Sequence, residues 1–185
     1  MTRAPEGVTP DPESWVPRIR AGDPAGLEGL VARFEAPFLR LAAGMLADPG
    51  DAADAVQETF VSAWRRIAGY RDGSDLEAWL VTLCLNHCRG ILRSRSRQRR
   101  VLKALPPPPD AAGSPPGPLE NAETRRLLRE GIAGLPERER EAFLLIAVEG
   151  HPSPQAAGMM GCTPEAARQA LSRARRTLAD RLRGV

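Results

Sequence analysis

Apolar residues recur along this chain at helical spacing, and nowhere does a β-branched run alternate with polar residues. The pattern predicts an all-α protein. A short helix is expected from Glu13 to Ala21, anchored by Trp15, Val16 and Ile19, with Pro17 starting or kinking it. Asp23 is placed to cap a second helix that carries Leu27, Leu30, Val31 and Phe34, and Pro37 to begin or bend the next segment, with Phe38, Leu41, Met45 and Leu46 apolar. Asp48-Pro49 has the form of a cap followed by a proline, so a helix opens at Gly50 and runs to Ala68 with Val56, Phe60, Trp64 and Ile67 as its buried stripe. After the loop Gly69 to Ser74, Ser74 or Asp75 caps a long helix running through Arg93. Its inner face holds Leu76, Leu80, Leu83, Cys84, His87, Cys88 and Ile91.

The pattern then stops. Ala104 to Pro118 holds seven prolines in fifteen residues, which forbids a helix and stiffens the chain toward polyproline II. At about 3.1 Å per residue such a segment spans on the order of 40 Å. Two small helical domains are therefore expected, at 13–100 and 119–185, joined by a Pro-rich linker at 101–118. In the second, Leu119 to Ala133 is a helix ended by Gly134, and Pro136-Glu137 starts another whose core face is Phe143, Leu144, Ala147 and Val148, ended by Gly150.

The stretch Ser153 to Leu182 reads as two helices joined by a tight turn. Ser153-Pro154 and Thr163-Pro164 are both cap-then-proline starts, and Gly161 supplies the turn. Ala167, Leu171, Ala174, Leu178 and Leu182 lie on one face of the second helix; Glu165, Arg168, Gln169, Ser172 and Arg176 lie on the other. This is helix-turn-helix spacing, and an exposed row of Arg, Gln and Ser can hydrogen-bond base edges and phosphates in a major groove. The bland alternative is a helical hairpin with a solvated Arg face.

Composition sharpens this picture. The net charge is only +3, but Arg89 to Lys103 holds seven basic residues and no acid, and Arg168 to Arg183 holds six Arg and one Asp. Two separated basic patches suit a polyanion gripped at two places. On the long helix Thr82, Asn86, Arg89 and Arg93 form a single polar stripe that runs into the basic segment, a nucleic-acid track. Asp51, Asp54, Gln57 and Glu58 make a mostly acidic face on the preceding helix; the first-turn acids suit the helix dipole, whereas Glu58 lies beyond it. Cys84, His87 and Cys88 share one helix without a clear fourth ligand, so small thiols filling core gaps are favoured over zinc, and no metal or cofactor is expected. Three cysteines without a disulfide pattern, no apolar run of membrane-span length and no signal-peptide h-region lead to an expected cytoplasmic location without membrane contact.

The run DPGDAADAVQETFVSAWRRI, a short loop, LEAWLVTLCLN and a basic segment together resemble the second conserved region of bacterial sigma factors. Gly134 to Gly150, with Glu141 as an extra residue, and the helix-turn-helix after it resemble their fourth region. Two such domains with only a linker between them resemble the extracytoplasmic-function (ECF) group. The resemblance implies a promoter-specificity subunit of core RNA polymerase, under the control of an anti-sigma factor. It places Asp54, Gln57 and Glu58 on the clamp coiled coil of the largest polymerase subunit, with a further contact to the flap of the second subunit. It places the loop with Tyr70, Arg71 and Asp72, and the stripe with Thr82, Asn86, Arg89 and Arg93, on the unpaired −10 strand. It places Arg168, Gln169 and Ser172 on the −35 duplex, with Arg173 and Arg176 near its backbone.

Departures from the family pattern stand at Thr82 and Leu85, where basic residues are common, and at His151-Pro-Ser-Pro, which implies a short first helix in the helix-turn-helix. The competing function is a stand-alone helix-turn-helix regulator of duplex DNA, which needs neither the acidic face with Glu58 nor the Asn86 stripe. An enzyme is disfavoured: no triad, phosphate loop or paired-ligand site is present, and there are two histidines.

Overall fold

The structure, a computed structural model, describes residues 14–102 and 127–183. The tail before Ser14, the Pro-rich segment from Lys103, the start of the helix expected from Leu119 and the side chains of residues 99–102 and of Leu182 lie outside the described residues. Every regular element among the described residues is helical. The N-terminal half holds α1 (Trp15–Arg20), α2 (Pro24–Leu46), α3 (Pro49–Arg66) with a 3₁₀ turn Ile67–Gly69, and α4 (Leu76–Leu102). The C-terminal half holds α5 (127–133), α6 (Glu137–Ala142) running into a π-helical stretch Phe143–Val148, α7 (Ser153–Met160) and α8 (Pro164–Arg183).

Pro37 neither starts nor ends a helix: it lies inside α2, which runs unbroken for 23 residues. An interior proline costs about 3 kcal/mol. Phe34, Phe38, Leu41 and Met45 are all buried on either side of it, and each large apolar side chain returns about 1.5–3 kcal/mol. Continuation wins. The rings of Phe34, Phe38 and Phe60 stack in series, with centroids 5.5 and 5.9 Å apart, and fix α2 on α3. Asp48 caps α3, its carboxylate accepting from the Asp51 N–H at 2.9 Å. Asp75, rather than Ser74, caps α4, accepting from the Ala78 N–H at 2.9 Å.

Helix α4 is longer than its periodicity predicts, reaching Leu102. It is also buried on more of its circumference. Val81 and Leu85 join the expected inner face, with Leu85 fully buried, because α2, α3 and α7 all pack on α4. Leu85 is therefore a core position here, which explains why no basic residue stands there.

The helix after Pro136 departs from its expected face. Ala147 and Val148 are exposed, while Ala142, Leu144 and Leu145 are buried. The cause is the π winding, in which the Glu149 N–H bonds Leu144 O at 2.9 Å and the following side chains rotate off the α-helical face. Likewise Ser153 does not cap α7; it is the first helical residue, Pro152 precedes it, and no side chain caps that end.

The two halves share one apolar core and are joined as well by polar contacts of unequal weight. Arg40 and Glu149 pair at 3.1 Å with the Arg40 side chain 59% exposed, a contact in the class worth about 0–1 kcal/mol. By contrast Arg89 donates to Glu141 through two parallel bonds, Nε to Oε1 at 2.6 Å and Nη2 to Oε2 at 2.8 Å, with the Glu141 side chain wholly buried. Arg140 crosses in the same region and donates to the Met45 carbonyl at the end of α2 and to the Ala133 and Leu135 carbonyls. A Cβ on Gly44 would lie 2.6 Å from the Leu144 side chain, so glycine permits this approach.

Glu141→Ala removes both bonds of the fork and leaves Arg89 to Asn86 Oδ1 and the Met160 carbonyl, a loss of about 1–3 kcal/mol for a charge-assisted pair. The radius of gyration in small-angle scattering is expected to rise with helicity retained; an unchanged radius contradicts this weighting. Separately, Thr163→Ala is expected to lower stability by about 1 kcal/mol, read as a lower urea midpoint.

Candidate nucleic-acid interface

In the C-terminal half the turn between α7 and α8 is built by Gly161, at φ +66, and by the Cys162 N–H bonding Ala157 O at 3.0 Å. Thr163 accepts from the Ala166 N–H at 3.2 Å and starts α8. Ala167, Ala170, Leu171, Ala174 and Leu178 face the core. Alanine at three of these positions lets α8 lie close on its neighbours, while Arg168, Gln169, Ser172, Arg173 and Arg176 are all exposed. Two of them already have partners. Arg168 Nη2 donates to Glu165 at 2.8 Å, one turn back, and Arg173 Nε donates to Glu139 of α6 at 3.2 Å. The Glu165 carboxyl is held below its usual range by its own backbone N–H at the helix start, with Arg168 adding to this. Gln169, Ser172 and Arg176 are left to meet a ligand.

On α4 the four-residue stripe is not uniformly open. Thr82 is half-buried and its hydroxyl donates back to Ala78 O at 2.8 Å. Asn86 and Arg93 are exposed. Arg89 is held by Glu141, by Asn86 Oδ1 at 3.1 Å and by Met160 O at 3.3 Å, and its hydrogen bonds to the Glu141 carboxylate push the Arg89 guanidinium above its usual range. The loop after α3 exposes Arg71 and Asp72, while Tyr70 is buried: its ring lies 5.3 Å from that of Trp79 and its hydroxyl donates to Ser74 O. Tyr70 thus shapes the loop from inside.

Asp54, Gln57 and Glu58 are exposed along one face of α3, and no hydrogen bond or ion pair among the described residues holds them. Asp48 and Asp51, at the start of the same helix, are instead paired with Arg95 of α4. Behind this face, His87 Nε2 lies 2.9 Å from Ser62 Oγ, and burial pushes the imidazole below its usual range against the opposing pull of Glu58. Cys84 and Cys88 are fully buried core residues, and the hydrogen bond with the adjacent Cys84 thiol, with burial second, pushes Cys88 up. Among the described residues no three His, Cys, Asp or Glu side chains group as metal ligands.

Three residues that organise this surface are set by contacts across the chain rather than by local pattern. Arg20, Arg140 and Glu141 form contacts over 47–52, 95 and 52 positions respectively. For Glu141 the one local hint is an acid on the face of α6 that also carries Ala142 and Leu145; for Arg20 and Arg140 there is none.

Residues 30–98 match the family model for sigma-70 region 2, and residues 125–178 match that for sigma-70 region 4. The chain is similar to the ECF RNA polymerase sigma factor EcfG of Rhodopseudomonas palustris, with 34% identity over 77% of each chain. It is also similar to a probable RNA polymerase sigma factor, RfaY, of Xanthomonas campestris pv. campestris. There it is 30% identical over 90% of its own length but spans only 43% of the relative. In structure it is similar to the sigma factor RpoE of Bartonella quintana, solved with the anti-sigma factor NepR. The TM-score is 0.67 at 25% identity, covering 84% of this chain and 96% of that one. With both conserved regions matched in order on an all-helical fold, the chain belongs to the sigma-70 family of RNA polymerase sigma factors, in its ECF group, whose members are DNA-binding transcription initiation factors rather than enzymes.

Proposed function

We propose that this chain recruits core RNA polymerase to a set of promoters, docking through α3, capturing the unpaired −10 strand with the Tyr70–Ser74 loop and the α4 stripe, and reading the −35 duplex with α8. The observation that supports this best is the unpartnered face of Asp54, Gln57 and Glu58. A protein that only binds duplex DNA has no use for it, whereas a basic surface on the polymerase clamp does. In this reading 13–100 and 119–185 act as separate domains tethered by 101–118, which lets each follow its own element, and the polymerase flap holds the second.

The division of labour follows from chemistry. An extruded base is held by polar groups and a pocket, as Asp72 and Asn86 can provide, while Arg71 and Arg93 neutralise phosphates. Gln169 and Ser172 can address base edges in the major groove, and Arg168 can do so once it exchanges Glu165 for a base. Arg173 and Arg176 lie where a backbone phosphate would pass. Arg89 joins the track only by giving up Glu141, so strand capture and the packed arrangement of the two halves exclude each other. An anti-sigma factor that stabilises this packing would keep the protein inactive. Transcription initiation places the chain in the cytoplasm; no helix among the described residues is long and apolar enough to cross a membrane.

Glu58→Arg is expected to weaken binding to core polymerase while leaving duplex binding by the same chain intact; equal losses in both would indicate misfolding and remove the docking assignment. Arg168→Ala is expected to weaken −35 binding by about 1–3 kcal/mol if it reads a base. An unchanged footprint takes it out of the interface. Failure of the purified chain to bind core polymerase at all would favour the stand-alone regulator.

A further inference from the structure

The −10 loop is braced by a residue fifty positions away. Arg20, the last residue of α1, spreads one guanidinium over three points of the loop: Nε donates to Ile67 O at 3.4 Å, Nη2 to Tyr70 O at 2.5 Å and Nη1 to Asp72 Oδ2 at 3.0 Å. These acceptors stand at the loop's base, its first residue and its exposed bend. The opposite side is fixed by the packing of Tyr70 on Trp79, by the Tyr70 hydroxyl on Ser74 O, and by the Ser74 N–H on Arg71 O at 3.0 Å, with Gly73 at φ +76 making the turn. Helix α1 is itself anchored by Trp15, Val16 and Ile19, all buried, so Arg20 is presented from a rigid support. Residues 71–75 are exposed. The backbone of the loop is thus clamped from two sides, while Arg71 is exposed and the Asp72 side chain, although paired with Arg20, stays 73% exposed.

We propose that Arg20 is the positioning residue of this loop, setting the direction of the Asp72 carboxylate and hence which base the loop accepts. The inference rests on the reading of this loop as the −10 strand-capture element. A carboxylate accepts from an exocyclic amino group and repels a carbonyl edge, so its orientation selects between bases. Only a planar fork with several fixed donors serves two backbone carbonyls and a carboxylate together; a lysine ammonium offers a point charge on a flexible stem. Arg20 touches no base in this assignment. It acts through Tyr70 O and Asp72.

The test uses holoenzyme assembled from core polymerase and the full chain, selecting from fork-junction templates whose unpaired −10 strand is randomised. Arg20→Lys, Arg20→Ala, Asp72→Ala and the unaltered chain are compared. Thermal melting monitors folding, and core-polymerase affinity and −35 duplex binding are measured for each. Arg20→Lys is expected to leave those three unchanged and to reduce the preference for the favoured base at one −10 position by about tenfold, the scale of one well-formed polar base contact. Asp72→Ala is expected to flatten the same position. Retained preference in Arg20→Lys and Arg20→Ala, with loss in Asp72→Ala, overturns the role of Arg20 and leaves the loop reading standing. Retained preference in all three overturns both. If Arg20→Ala melts early, Arg20→Lys, which keeps the charge and the stem, decides the matter.

Discussion

The buried fork between Arg89 and Glu141 is the interaction on which the arrangement of this molecule turns. Each partner is costly to bury alone, and each becomes tolerable only with the other in place. Arg89 belongs to the polar stripe of α4, and Glu141 belongs to α6 of the other half. One ion pair therefore both joins the halves and withdraws a cation from the surface that would grip phosphate. Arg140, which reaches from α6 to the buried carbonyl end of α2, works in the same direction by satisfying acceptors that a helix end leaves open.

The charges of the chain divide by partner. Arg20, Arg89, Arg95 and Arg140 are spent on internal carbonyls and carboxylates and hold loops and helix ends in place. Arg71, Arg93, Gln169, Ser172 and Arg176 stay exposed, as do Asp54 and Glu58 on a different face. Exposed acidic and basic faces thus lie on different helices. That separation allows a basic protein partner and a polyanion to be held at once, as initiation requires, and it gives the modest net charge of +3 little meaning on its own.

Much of this was legible in the sequence, and the exceptions have physical causes. Helix identities, the caps at Asp23, Asp48 and Thr163, the turn at Gly161 and the exposed faces of α3 and α8 follow from local chemistry, which acts over a few residues. Pro37 misled because its penalty is local while the burial that overrides it is not. The faces of Ala147 and Val148 went astray because a π-helical stretch has no signature in side-chain spacing. Leu85 departs from the family's basic pattern because a third helix packs on α4 and buries it. Of the candidate site, the exposed row on α8 and the exposure of Asn86 and Arg93 on α4 could be read from spacing, but the partners that occupy Arg89, Arg173 and Asp72 are set by tertiary contact. Periodicity marks which face a side chain occupies and says nothing of which distant group will meet it.

The central claim is that one stripe serves two exclusive masters, the carboxylate of Glu141 and the backbone of an unpaired strand. The distance between dyes on the exposed Ala53 and Arg175, measured by energy transfer in the free chain and again in holoenzyme on promoter DNA, addresses it most directly. The account predicts a short distance in the free chain and a much longer one in the promoter complex. The same short distance in both, in complexes that make transcript, contradicts it.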